Sequence, residues 1–466
     1  MKLVSTEFLV FFAAVFTAHW LVAPRFRNAL LILASYVFYC FWDWRYAGLL
    51  FATTCASYLL ARAVASASSL GARRGWALGA VILHVGVLAF FKLRVIGADS
   101  VDILRGRNVA GWGLPLGLSY YTFQSLGYVL DVFRGLPVAA GFWPYCLFVS
   151  FFPQITAGPV GRARHLLPQL QSDRHFDRER FYEGCHLIYW GLFQKVFIAD
   201  NIRPIVSAVF DGATPASGGA VLLGIYGFTL QLYGDFAGYS NMARGLGKCL
   251  GLELAENFRL PFFAQDMQEH WKRWHVSLSE WFADFLYRPF VNLPLGYYKF
   301  FIAPLATLFV MGLWHRFSLQ MILLGLNYGF WISVTLFIKS WALRREGSLG
   351  SLTTKVLPWF NRLLTFHLVC ASFVLLRAHS LGQAGKLASR VFGAMRWDAG
   401  DGATARRLLF FAGPLLAVEC FEYSRGAAGS LYRLPQPARV VIYAAAFAFM
   451  LAFGRFRSES FFYSAF

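Results

Sequence analysis

The chain has 466 residues, of which 58% are hydrophobic, 18% aromatic and only 14% charged, with a formal net charge of +19. Soluble domains carry roughly a quarter charged residues, so a soluble fold of this size is excluded and the chain reads as an all-α polytopic membrane protein. In a soluble protein the positive balance would suggest nucleic acid, but no soluble domain is available to bind it here, and the charge fits Lys/Arg-rich loops held against an anionic cytoplasmic leaflet.

A spanning helix needs about twenty mostly apolar residues. In chain order such runs fall near 3–23, 28–44, 46–66, 76–96, 114–132, 142–159, 182–200, 218–236, 300–315, 318–340, 358–377, 407–423 and 437–454. Some are short enough to be re-entrant or broken, so roughly 10–13 transmembrane or re-entrant helices are expected. The first run has Glu7 ahead of its apolar core and no small-residue cleavage site, and reads as a retained span. Basic loops follow at "PRFRNA" (Arg25, Arg27), "GARRGW" (Arg73, Arg74), 160–184, 342–355 and 382–407. The positive-inside rule places both the 160–184 loop and the Arg25/Arg27 turn in the cytoplasm. The seven cysteines are scattered and form no C-x-x-C, so neither a disulfide framework nor a cysteine metal site is expected.

Between roughly 255 and 300 the chain is neither a clean span nor a clean loop. Trp271, Trp274, Leu278 and Trp281 recur every three or four residues, which predicts an aromatic stripe on one helix carrying His275. Such helices lie along the membrane interface or line a cavity below it.

Of the ten histidines, His275 in "RWHVSLSEW" and His315 in "MGLWHRF" stand out. An imidazole at depth in hydrocarbon must face protein or water, and it titrates near neutrality, so it can take a proton from a hydroxyl. The alternative for each is a packed structural imidazole. Asp235, between Tyr233 and Tyr239, needs hydroxyl donors or a charge partner if it is buried, and Gly234, Gly238, Gly245 and Gly247 allow close helix packing there. No Walker A loop, dinucleotide loop, G-x-S-x-G elbow or paired metal-ligand spacing occurs, so no metal and no bound cofactor is expected.

Eight stretches in order carry a family resemblance: "LASYVFYCFWDWRY" (33–46), "LPLGLSYYTFQSLGYVLDVFRG" (114–135), "FFPQITAGPVGRA" (151–163), "YWGLFQKVFIADNI" (189–202), "GFTLQLYGDFAGYSNMARGLGKCLGLELAENFRLPFFA" (227–264), "HWKRWHVSLSEWFADFLYRPF" (270–290), "GLWH" (312–315) and "FHLVCASFVLLRAHSLGQA" (366–384). The tail "ESFFYSAF" (459–466) adds to them. The chain resembles the membrane-bound O-acyltransferases, and within them the bacterial alginate O-acetyltransferase-like branch. The resemblance implies one integral-membrane domain over 1–466: N-terminal helices to 110, a core with the motifs over 111–380, and C-terminal helices over 381–466. It implies a ring of helices around a central tunnel, with His315 as general base or organiser of acyl transfer and His275 with Ser277 as a second polar site. Trp274, Trp314, Asp235, Tyr233, Asn257 and Gln124, in the matching stretches, and Arg316, directly after one of them, are the tunnel or substrate candidates.

The resemblance further implies an O-acetyltransferase of the bacterial inner (cytoplasmic) membrane. It would carry an acyl group from a cytosolic thioester, acetyl-CoA or an acyl-carrier protein, to hydroxyls of an exopolysaccharide or other envelope glycan. The transfer would be direct or through a periplasmic acetyltransferase- or esterase-like partner. The alternatives are a D-alanyl-transfer relative fed by a carrier-protein thioester, and a transporter or flippase without chemistry. Two departures from the family pattern bear on the acceptor: Arg316 and Phe317 follow the histidine where relatives have small residues, and the segment "RPFVNLPLGYYKFF" (288–301) is shortened.

Overall fold

The computed structural model describes residues 2–97, 114–139, 141–156, 158–212, 217–343, 357–393, 395–426 and 429–456. The basic stretch 342–355, apart from its first two residues, and the aromatic tail 459–466 lie outside the described residues. Among the described residues the fold is helical, with a single isolated antiparallel bridge between Phe258 and Trp274. The chain forms two compact units, one from Met1–Leu192 and Tyr239–Glu256, the other from Phe193–Gly238 and Asn257–Ser458.

The first unit starts with α1 (Thr6–Leu21), whose N-terminus is capped by the Ser5 hydroxyl accepting from Phe8 N at 3.3 Å. Helix α2 (Pro24–Ser66) begins on a proline that has no N–H to leave unpaired. At Asp43 its backbone turns extended, dividing it near the boundary expected between the second and third runs. Helices α3 (Leu70–Gly97), α4 (Leu118–Phe133) and α5 (Phe142–Ser150) pack on α2. The buried rings of Tyr39, Tyr121, Tyr128, Tyr145, Phe148 and Phe152 fill this core. The run expected at 142–159 is broken: α5 stops at Phe151, and the short α6 (Phe152–Ile155) restarts at once with Pro153 in its first turn. After α7 (Ala163–Gln171) and α8 (Arg178–Phe193), the run expected at 182–200 passes into a π-helical turn at Gln194–Ala199.

In the second unit α9 (Asp200–Phe210) precedes α10 (Gly218–Cys249), whose last residues from Tyr239 onward belong to the first unit. The expectation of close packing at its glycines holds at Gly245, where an added Cβ would lie 2.5 Å from the Gly184 carbonyl oxygen. Two short helices follow, α11 (Met267–Arg273) and α12 (Val276–Phe282), then α13 (Arg288–Val291). An antiparallel hairpin of α14 (Lys299–His315) and α15 (Leu319–Leu343) comes next, and α16 (Leu357–Arg377) packs on α15. The unit ends with α17 (Leu381–Phe392), α18 (Asp401–Ser424) and α19 (Gln436–Phe453).

Among the described residues, seven helical segments are long and apolar enough to cross a membrane: Pro24–Ser66, Leu70–Arg94, Gly218–Cys249, Gly296–His315, Leu319–Ser340, Leu357–Arg377 and Gln436–Phe453. Most of the remaining passages expected from the sequence are short or broken, such as Thr6–Leu21 and the α5–α6 pair, while the run at 407–423 lies in a helix, Asp401–Ser424, that is long enough but not apolar enough. This is a multi-pass membrane protein.

The α14–α15 hairpin sets where His315 sits. Gly312 and Gly325 face the opposite backbone: an added Cβ would collide with the Met321 carbonyl oxygen at the first and with the Leu308 carbonyl oxygen at the second. No residue with a side chain fits either position without separating the helices. A direct check is Gly325→Ala. It should lower stability by about 1–3 kcal/mol, the range for overpacking, seen as a lower Tm of the purified protein in detergent. Gly75→Ala, inside α3 where nothing lies within 4 Å, should not lower Tm and should raise it slightly, because alanine favours the helix.

Candidate active site

The aromatic segment departs from the single helix expected. Helix α11 starts at Asp266, whose carboxylate accepts from Glu269 N at 2.8 Å, and it ends at Arg273. His275 then takes a left-handed conformation (φ 43°, ψ 53°) and starts α12. The break is held by the preceding strand-like segment: Arg259 N donates to the Arg273 carbonyl at 3.0 Å, and Val276 N donates to the Asn257 carbonyl at 2.9 Å. Backbone donors and acceptors that would extend the helix are used in this pairing instead. A left-handed backbone is uncommon for a residue with a β-carbon and is kept only where its surroundings impose it.

These contacts bring several sequence candidates together. The Ser277 hydroxyl donates to Asn257 Oδ1 at 2.6 Å, and both residues are buried. The His275 ring meets Phe236 edge-on at 4.6 Å. Trp274 packs on Phe258 at 5.0 Å and on Tyr233 at 6.0 Å, and the Tyr233 hydroxyl donates to the Glu419 carboxylate. His275 lies outside the seven candidate spans, and burial pushes its imidazole down to about 3, so it is neutral.

His315 is the last residue of α14 and is buried. The chain turns extended at Arg316, whose side chain is exposed, as is that of Phe317. The helix end therefore separates an inward imidazole from an outward guanidinium. Beside it, the Trp314 ring lies 4.3 Å from the His315 ring and 6.4 Å from Phe282. Phe282 closes α12 and His275 precedes it, so His275 and the Trp314 ring beside His315 lie at opposite ends of one short helix, roughly 10 Å long at 1.5 Å per residue. A cavity of about 290 Å3 lies along this helix. Its walls include Trp271, Lys272, Val276 and Ser279 from α11 and α12, with Thr307 and Leu308 from α14.

Asp235 does not join this group. Its partner is Lys195 in the π-helical turn, with Nζ 2.6 Å from Asp235 and 3.0 Å from Asp200, and all three residues are buried. Sequence reading asked for a partner to Asp235 without finding Lys195. The signal was a lysine inside an apolar run, "GLFQKVFIA". Glu419 was missed in the same way, as an acid inside the run at 407–423. Gln124 belongs to the first unit, buried on α4, with both amide atoms lacking a hydrogen-bond partner.

Residues 116–375 match the model of the MBOAT, membrane-bound O-acyltransferase, family. The chain is 34% identical over 411 residues to a probable alginate O-acetylase of Azotobacter vinelandii, covering 85% of this chain and 79% of that protein. The chain belongs to the membrane-bound O-acyltransferase family. As a member of that family it is an acyltransferase, and its bacterial relatives agree with the inner-membrane location expected from the sequence. It is also 28% identical to a peptidoglycan O-acetyltransferase of Helicobacter pylori, over 79% of this chain and 74% of that protein. A teichoic acid D-alanyltransferase of Bacillus subtilis is 28% identical, over 55% of this chain and 67% of that protein.

Removing one member of a buried ion pair leaves an uncompensated charge, at a cost of about 3–5 kcal/mol. Lys195→Met should therefore lower Tm strongly in thermal unfolding of the detergent-solubilised protein. The double variant Lys195→Met with Asp235→Asn should recover part of the loss, because it also removes one of the stranded carboxylates.

Proposed function

We propose that this acyltransferase moves an acyl group, acetyl by preference, from a cytosolic thioester to hydroxyls of an exopolysaccharide or another cell-envelope glycan. The observation that carries the reading is the buried imidazole of His315 on its G-L-W-H motif, in a chain similar over most of its length to an alginate O-acetylase. His315 acts as general base. The acceptor hydroxyl gives its proton to the imidazole as its oxygen attacks the thioester carbonyl carbon. The C–S bond then breaks, the leaving thiolate takes the proton back from His315, and an ester remains on the acceptor. His275, neutral and fixed by Phe236 and the Asn257 backbone, supports a second polar point on the substrate path together with Ser277 and Asn257.

The cavity along α12 forms part of that path in this reading. It is walled by residues next to His275 and by the helix that ends in His315. A narrow protein-lined passage keeps bulk water from hydrolysing the thioester and lowers the cost of polar groups at depth. Arg316, turned outward beside the site, meets an anionic acceptor or headgroup. A periplasmic esterase-like partner completes the transfer where the acceptor does not reach His315 itself. The similarity to a teichoic acid D-alanyltransferase favours a second reading, D-alanyl transfer from a carrier-protein thioester.

His315→Ala should abolish acetylation of the envelope polymer, a loss of at least about 10²-fold for a general base, with protein level and membrane insertion intact. Near-normal polymer acetylation in that variant would remove His315 from the mechanism. Labelled acetyl-CoA supplied to membranes without any carrier protein separates the two donors: incorporation supports acetyl transfer, and a strict need for the carrier supports D-alanylation. Ala283→Trp, which fills the cavity from a half-buried wall position with no side-chain hydrogen bond to lose, should cut turnover per folded protein at least about tenfold, a loss of roughly 1.4 kcal/mol in transition-state stabilisation.

A further inference from the structure

The first unit holds a cluster that acyl transfer does not use. Arg27, in the first turn of α2, and Arg174, in the loop between α7 and α8, are 9% and 7% exposed. They are in direct contact: Arg27 Nη1 donates to the Arg174 carbonyl, and Arg27 Nε donates to the His19 carbonyl at 3.1 Å. The Arg27 guanidinium also stacks over Trp20, 4.8 Å from the ring. Arg174 Nη2 donates to Asn28 Oδ1 at 2.6 Å, and Asn28 is held in turn by the Leu170 carbonyl at 2.7 Å. The remaining Arg174 nitrogens, Nε and Nη1, are buried without a hydrogen-bond partner.

Two buried guanidiniums side by side with only neutral acceptors are an unbalanced arrangement. Among the described residues neither forms an ion pair, and the adjacent acid, Asp173, is exposed. Burial and the neighbouring Arg27 both pull Arg174 down, to about 10, against a weaker opposing pull from Asp173. Buried cations are retained when paired, and buried N–H groups when bonded. The missing element is an anion with several acceptor oxygens. The surroundings select its class: the exposed side chain of Arg25 adds to the positive field, and Arg27 lies at the N-terminal, positive end of α2. Planar guanidiniums match phosphate oxygens, and a phosphate satisfies more donors than a carboxylate does.

We propose that Arg27, Asn28 and Arg174 form a binding site for a phosphate group at the membrane face that carries the 160–184 loop. The phosphate comes either from an anionic phospholipid of that leaflet or from a soluble phosphate compound, and the chemistry on the protein side is the same. Arg174 supplies the free donors and Arg27 the second charge. Asn28 fixes the orientation of Arg174. The site also ties the α1–α2 turn to the loop before α8, so occupancy stabilises the first unit.

The test uses the full chain, purified in an uncharged detergent, delipidated and kept free of phosphate. Tm is followed against inorganic phosphate and, separately, against dihexanoyl phosphatidylglycerol. A saturating rise of roughly 2 °C or more with either probe, with affinity at least about tenfold weaker in Arg174→Gln, supports the site. A response to the lipid at concentrations where inorganic phosphate has no effect assigns the leaflet as the source, and a response to inorganic phosphate alone assigns a soluble compound. Should Arg174→Gln not fold, Arg174→Lys keeps a cation but loses two nitrogen donors, and it should weaken the same probe several-fold. No response to either probe in the wild-type chain overturns the proposal. So does a response of equal strength in Arg174→Gln or, where that does not fold, in Arg174→Lys.

Discussion

The buried pairing of Lys195 with Asp235 is the interaction on which the second unit's arrangement rests. A lysine with no exposed side-chain surface cannot remain charged in an apolar interior without a counter-charge, and a carboxylate there has the same need. Each fixes the other's position at 2.6 Å, and so fixes α10 against the π-helical turn. The consequences reach the neighbouring positions of α10. Tyr233 and Phe236 flank Asp235 and present their rings to Trp274, Phe258 and His275. This charge pair thus holds the aromatic wall behind His275.

The α14–α15 hairpin solves a different problem with the opposite means. In hydrocarbon there is little hydrophobic drive between helices, so close approach depends on small residues. Gly312 and Gly325 allow an approach of the two backbones that no Cβ permits. Gly312 stands one turn before His315, so the tightest point of the hairpin lies next to the imidazole. Beyond His315 the backbone turns extended, and the same few residues carry one buried and one exposed basic side chain. Helix termination decides which of the two faces inward.

Two buried cationic groups in this chain contrast instructively. Lys195 has two carboxylates within hydrogen-bonding distance, while Arg27 and Arg174 have carbonyls, an amide and an aromatic face. The first is complete within the protein. The second is complete only with an anion from outside, and it joins the two basic stretches that the positive-inside rule places on one side of the membrane.

Much was legible in the residues alone. Low charge and long apolar runs determined a multi-pass helical protein, because unpaired backbone groups cannot be left in lipid. The order of motifs carried the family, and the histidine in G-L-W-H was marked by being an ionisable group at the end of an apolar run. The tertiary structure decided what periodicity could not. A 3.6-residue pattern over Trp271, Trp274, Leu278 and Trp281 reads as one helix, because it contains no trace of a distant strand-like segment. That segment, 257–259, competes for the backbone groups of 273–276 and forces the break at His275. The partners of Asp235 and Tyr233 were hidden for the same reason. Lys195 and Glu419 are 40 and 186 residues away in the chain, and burial makes such pairs obligatory without letting sequence spacing say which residues they join.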